Sequence, residues 1–239
     1  MFGKYKSLRT SVELCHFLDI LRNHRLYFSQ PEALNDPFEG MGFQFPIPAY
    51  AGISIPMNCD QLPGPIREAL SRFGVVSLTS DVRSAQMWAH YADGYRGVCI
   101  CFRSGSRFAA ARPVRYVNRP IKTDDTSWWI EEEQGIESLI EQSLYFKHEG
   151  WSYEKESRIV QQTGEDEMPH YFCFDPGDIA AVIIGQSASQ SIARLVRGEC
   201  EQLGTPLYTT AIRELSNQVS IVPYGFRLQG NGEAFHNQV

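Results

Sequence analysis

The chain has 239 residues, 43% apolar and 12% aromatic, which suits one domain with a sizeable core. A formal net charge of −6 disfavours a general phosphate-backbone binder, and no stretch is long and apolar enough for a cleaved leader or a membrane span. Six cysteines, without a Cys-x-x-Cys pair or histidines at zinc-site spacing, read as reduced thiols in a cytoplasmic protein; export by a signal-less route stays open.

Residues 2–9 read as a short strand or extended lead-in. Thr10 or Ser11 can cap the helix that follows, with Glu13 in its first turn and Leu14, Phe17, Leu18 and Leu21 at helical spacing. Leu26 to Ser29 is a short strand, and Asn35-Asp36-Pro37 carries turn chemistry. Residues 41–65 hold many of the prolines and show no period, an irregular excursion. Helix is expected over Ile66 to Phe73, strand over Gly74 to Ser80, and helix over Ser84 to Tyr91. The Asp93-Gly94 turn leads to a buried strand, Gly97 to Phe102, and Val114 to Val117 is another. Trp128 to Lys147 is the longest helical pattern. Trp151 to Val160 reads as a strand, followed by a hairpin and the strand Tyr171 to Phe174. Ile179 to Gly185 is a strongly apolar strand, Ser189 to Leu203 a helix and Leu207 to Ile212 a last strand. Strands and helices do not alternate regularly, so the spacing points to an α+β domain over 1–228 and a polar tail over 229–239.

The stretch Trp151 to Val160 looks most like chemistry. In a strand it would set Glu154, Glu156 and Arg158 on one face at about 7 Å spacing. Such a polar row needs water or a ligand beside it, and a plain solvated face is the bland alternative. Other candidates are weaker alone. Ser77 and Thr79 put two hydroxyls on one strand face; Asn35, Asp36 and Glu39 form either a turn or a pocket rim; Trp88, His90 and Tyr91 form either a core face or an aromatic wall. No P-loop, dinucleotide glycine fingerprint, His-Glu-x-x-His or Gly-x-Ser-x-Gly elbow is present, and no metal is expected.

Taken in order, N-D-P-F-E, S-L-T-S, M-W-x-H-Y-x-D-x-x-x-G-V-C-I-x-F and F-K-x-x-x-W-x-Y-E-x-E-x-R resemble an uncharacterised bacterial family, domain of unknown function 2971, from about Lys4 to Gly185. The order of elements is also similar, more weakly, to the ADP-ribosyltransferase-like superfamily. That resemblance implies a split or strongly bent antiparallel or mixed sheet with flanking helices, and NAD as co-substrate. It implies Glu156 as the carboxylate for the ribose and its developing cation, and Glu154 to orient the acceptor. Ser77 and Thr79 would brace the nicotinamide end, with Trp88 and Tyr91 enclosing it. Arg158 would pair with Glu156 or face a phosphate. Tyr5 stands where that superfamily has a first-strand Arg or His, a departure for which Lys4 or Arg9 would substitute. The expected activity is transfer of ADP-ribose to a protein or nucleic acid, or NAD hydrolysis, in a toxin, effector or phage-defence component with a possible antitoxin or immunity partner and no membrane association. Two alternatives stay open. One is a non-catalytic nucleotide-, nucleic-acid- or protein-binding module. The other is a metal-dependent nuclease or hydrolase with Asp36, Glu39, Glu154 and Glu156 as oxygen ligands.

Overall fold

The computed structural model describes residues 1–36, 43–44, 64–118, 121–122, 140–141, 143–162, 171–212 and 219–225. Glu39, most of the 41–65 excursion, the tail and the bulk of the expected 128–147 helix lie outside the described residues.

The chain opens on β1 (Phe2–Lys6), α1 (Ser11–Asn23), β2 (Arg25–Tyr27) and β3 (Phe43–Gln44). It continues through α2 (Gly64–Ser71), β4 (Phe73–Thr79), α3 (Ala85–Tyr91) and β5 (Val98–Phe102). Four short strands follow: β6 (Arg112–Pro113), β7 (Arg115–Val117), β8 (Ile121–Lys122) and β9 (Phe146–His148). The rest is β10 (Glu156–Gln162), β11 (Tyr171–Cys173), β12 (Ile179–Ile184), α4 (Gln190–Leu203), β13 (Leu207–Ala211) and β14 (Ser220–Pro223). The helix starts follow the expected chemistry. Thr10 and Glu13 close a reciprocal capping box on α1, and Ser84 and Ser189 cap α3 and α4.

The fold is α+β. Eight strands form one mixed sheet in the order β14-β13-β12-β5-β1-β4-β10-β6. The β12–β13 pair is parallel, so α4 provides the crossover, and the other pairs are antiparallel. The sheet is continuous rather than cut into two. It is nearly split at one place, because β1 and β4 share the single register pair Gly3↔Thr79, whereas β4 and β10 share seven, Glu156↔Thr79 to Gln162↔Phe73. Beyond Gly3 the two strands fork. Ser29 takes up the bridge to Val75, and the Lys4 ammonium donates to the Ser77 carbonyl at 2.8 Å.

Opposed residues of antiparallel strands share a face, and this decides what each face carries. Phe102, Ile100, Leu78, Val76, Ile159 and Val182 form the core beneath α1 and α4, packed with Phe17, Leu21, Val196 and Cys200. On the other face Cys101, Gly3, Thr79 and Glu156 lie in one row across four strands. Two apolar clusters flank that row. Tyr5, Cys99, Ile183 and Trp88 lie toward β12, and Phe73, Val75, Ile140 and Leu144 toward α2. A polar cluster sits between them. Gly3 keeps the row close to the Val82 loop, since a Cβ there would lie 2.6 Å from Val82 Cγ1.

The five described cysteines are free thiols. No helix among the described residues is long and apolar enough to cross a membrane.

Candidate functional site

Trp151 to Val160 is not one strand. Glu149–Glu154 forms a 3-10 turn, Lys155 takes a left-handed conformation at φ 43°, and β10 begins at Glu156. The turn starts where the His148 ring accepts from the Gly150 N–H at 3.1 Å. A non-glycine residue pays for positive φ only when its surroundings hold it there. They do here. The Ser80 N–H donates to the Lys155 carbonyl at 3.0 Å, the Thr79 hydroxyl to the Glu154 carbonyl at 2.6 Å, and the Lys155 ammonium pairs with Asp81 at 2.8 Å. The kink, rather than strand alternation, brings both carboxylates to the same spot.

That spot is a buried ionic quartet. The Lys147 ammonium donates to Glu154 Oε2 at 2.6 Å and to Glu156 Oε2 at 3.0 Å. The Arg158 guanidinium grips Glu156 through Nε at 2.8 Å and Nη2 at 3.0 Å, and spends Nη1 on the Leu144 carbonyl. All four side chains are buried, Arg158 completely. Two carboxylates against one ammonium and one guanidinium sum to zero, the condition under which buried charge is tolerated. Polar neighbours complete the shell. Tyr91 donates its hydroxyl to Glu154 Oε1, and Asn35 hydrogen-bonds Tyr91 in turn. The Ser77 hydroxyl reaches Glu156, and the Glu156 N–H donates to the Tyr116 oxygen at 2.8 Å. The Trp151 ring centroid lies 5.0 Å from the Lys147 ammonium.

Burial pushes the Glu156 carboxyl up, but the Arg158 charge and hydrogen bonds, then Lys147 and Ser77, outweigh it and hold it at about 2. Glu156 is therefore a fixed carboxylate at neutral pH. At the fork, burial and the neighbouring Lys6 bring the Lys4 ammonium down to about 7, against a smaller opposing pull from Glu156.

The structure gathers Glu154, Glu156, Arg158, Ser77, Tyr91 and Asn35 into one hydrogen-bonded group. Thr79 adjoins it, with its hydroxyl committed to the Glu154 carbonyl. Two expected ligand contacts are corrected. Trp88 is fully buried, edge-on to Tyr5 at 5.1 Å and stacked on Tyr95, with its indole N–H on the Val82 carbonyl. Tyr5 turns its hydroxyl to the Asp81 carbonyl. Both are core side chains rather than an open aromatic wall. His90 is exposed, 6.0 Å from the Tyr153 ring, and Asp36 is buried. Among the described residues no group of three or more His, Cys, Asp or Glu is placed to hold a metal ion. Lys147 and Tyr116 are the members that sequence reasoning missed. Lys147 falls inside the expected long helix, whereas the helical segment gives way to β9 after Leu144.

No curated protein and no solved structure matches the chain. Residues 87–159 match the family model described as "Protein of unknown function (DUF2971)", a segment that begins in α3 and ends in β10. It contains Tyr91, Tyr116, Lys147, Glu154, Glu156 and Arg158, so the whole quartet lies within the matched segment.

Proposed function

We propose that the quartet and the sheet fork beside it form an ADP-ribosyltransferase-like site that takes NAD. One observation carries the reading: β1, β4 and β10 are neighbours in the sheet, and Glu156 stands beside Ser77 and Thr79 next to the point where β1 leaves β4. β4 and β10 thus supply hydroxyls and a carboxylate to one face of the sheet, and β1 brings the Lys4 amine, in register with Ile100 of the other face, to the Ser77 carbonyl at the fork.

The residue chemistry fits the reaction class. Breaking the ribose C1′–nicotinamide bond sends the electron pair to the ring nitrogen and leaves an oxocarbenium-like ribosyl cation. A carboxylate that stays ionised, held in a water-poor site, opposes that charge. Glu156 is such a group. Glu154, with Tyr91 on it, is the second carboxylate, placed to accept the proton of an attacking hydroxyl or water. Lys4, with its amine on the Ser77 carbonyl at the fork, is the β1 side chain assigned to the pyrophosphate in this reading, next in sequence to the buried Tyr5. The acceptor is a macromolecule or water.

The test is incubation of purified protein with NAD, with and without candidate protein and nucleic-acid acceptors, reading free nicotinamide. Wild type should release it and Glu156→Gln should not. No release with any acceptor, or an undiminished variant, would remove the proposal.

A second reading is favoured by the closure of the quartet, in which every carboxylate is already matched. Under it the chain binds a nucleotide without turning it over, and NAD or ADP would raise the melting temperature with no nicotinamide released.

A further inference from the structure

Lys147 stands out because nothing in the proposed chemistry uses it. Its ammonium lies between the two carboxylates, 2.6 Å from Glu154 and 3.0 Å from Glu156. Glu156 does not depend on it alone, since Arg158 already makes two hydrogen bonds to that carboxylate. Glu154 does, since among the described residues Tyr91 and Lys147 are the side chains that hydrogen-bond its carboxylate. With Lys147 withdrawn, the three described side chains that remain of the quartet count two negative charges against one positive in a buried place. The strand that carries Lys147 is three residues long and, among the described residues, pairs with β7.

We propose that Lys147 occupies the cation position of this site. Its ammonium holds the place of a single positive charge on the ligand, and a ligand enters as Lys147 leaves the two carboxylates. The ligand class follows: a monocation of small cross-section at the end that meets Glu154 and Glu156. This deepens the proposed function, since the pyridinium end of NAD is such a group, but its test does not depend on turnover.

The test is chemical rescue of stability. Removing the side chain in Lys147→Ala should lower the melting temperature by roughly 10 °C, because it leaves a buried carboxylate without its cation. Propylammonium and the cation 1-methylnicotinamide should each restore it progressively with concentration, and neutral nicotinamide and equal sodium chloride should not. The double variant Lys147→Ala/Glu154→Gln is charge-matched again, so it should melt above the single variant and ignore the cations. Wild type should respond to 1-methylnicotinamide far less than Lys147→Ala. Rescue by neutral nicotinamide or by salt, a lack of response to any cation, or a double variant that folds no better than the single one would each overturn the assignment. An inactive wild type that still shows cation-specific rescue in Lys147→Ala would reject NAD chemistry while leaving the cation site standing.

Discussion

Arg158→Met removes a buried guanidinium and keeps most of its volume. The wild-type side chain makes two hydrogen bonds to Glu156 and one to the Leu144 carbonyl, and it has no exposure. Breaking one side of a buried pair costs about 3–5 kcal/mol, because the partner stays buried and charged. The pH dependence reads the same pair in a second way. A carboxyl held at about 2 instead of its ordinary 4.5 contributes about 3 kcal/mol of stability at neutral pH. The folded value is the depressed one, so this contribution is complete above the unfolded value near 4.5 and is lost as pH falls toward 2. At pH 3 about 2 kcal/mol of it is gone. The variant lacks most of that contribution at every pH. Urea unfolding of both proteins at pH 7 and pH 3 should therefore show a deficit of about 4 kcal/mol at pH 7 that shrinks by about 2 kcal/mol at pH 3. A deficit below about 1 kcal/mol at pH 7, or one that does not change with pH, would refute the charge-matched quartet.

Trp88→Ala should cost about 3–5 kcal/mol in urea unfolding, as a core truncation, because the indole packs on Tyr5 and Tyr95 rather than lining a site. Gly97→Ala should cost about 3 kcal/mol or more by the same measurement, since the new Cβ would lie 2.1 Å from the Lys6 carbonyl oxygen. Thr10→Ala opens the α1 capping box and should lower stability by about 1 kcal/mol, with thermal melting as the readout. Tyr91→Phe removes a donor from Glu154 and should cost about 1–2 kcal/mol, again by urea unfolding, with the far-ultraviolet circular dichroism unchanged.

The sheet strands with strong apolar pattern were legible in the sequence. Val98–Phe102 and Ile179–Ile184 are buried on both faces, and a continuous apolar run reveals that directly. The α1 start was legible because a reciprocal cap is a local device. Glu154 and Glu156 converge as expected, but through a left-handed Lys155 rather than through strand alternation, and no pattern of residue types announces positive φ at a lysine. Lys147 was hidden for a related reason. The periodic run that reaches it ends at Leu144, and only the tertiary pairing of β9 with β7 turns the lysine inward. Its signal was the Phe-Lys that opens the same motif as Glu154, Glu156 and Arg158. Trp88 and Tyr5 show the converse limit. An aromatic beside a candidate site reads alike whether it packs or stacks on a ligand, and only the register Tyr5↔Cys99 and the α3 cover decide for packing. Several members of the Met-Trp to Gly motif then have structural reasons: Met87 and Trp88 fill the core, Asp93 turns the chain at φ 49°, and Gly97 admits the Lys6 carbonyl.

The most direct measurement is a crystal structure of the protein grown with NAD. The nicotinamide end should lie at the β1–β4 fork, with Glu156 against the ribose 2′-hydroxyl and the Lys147 ammonium moved off Glu154. NAD bound away from Glu156, or an intact quartet at saturating NAD with no nucleotide near the fork, would contradict the account.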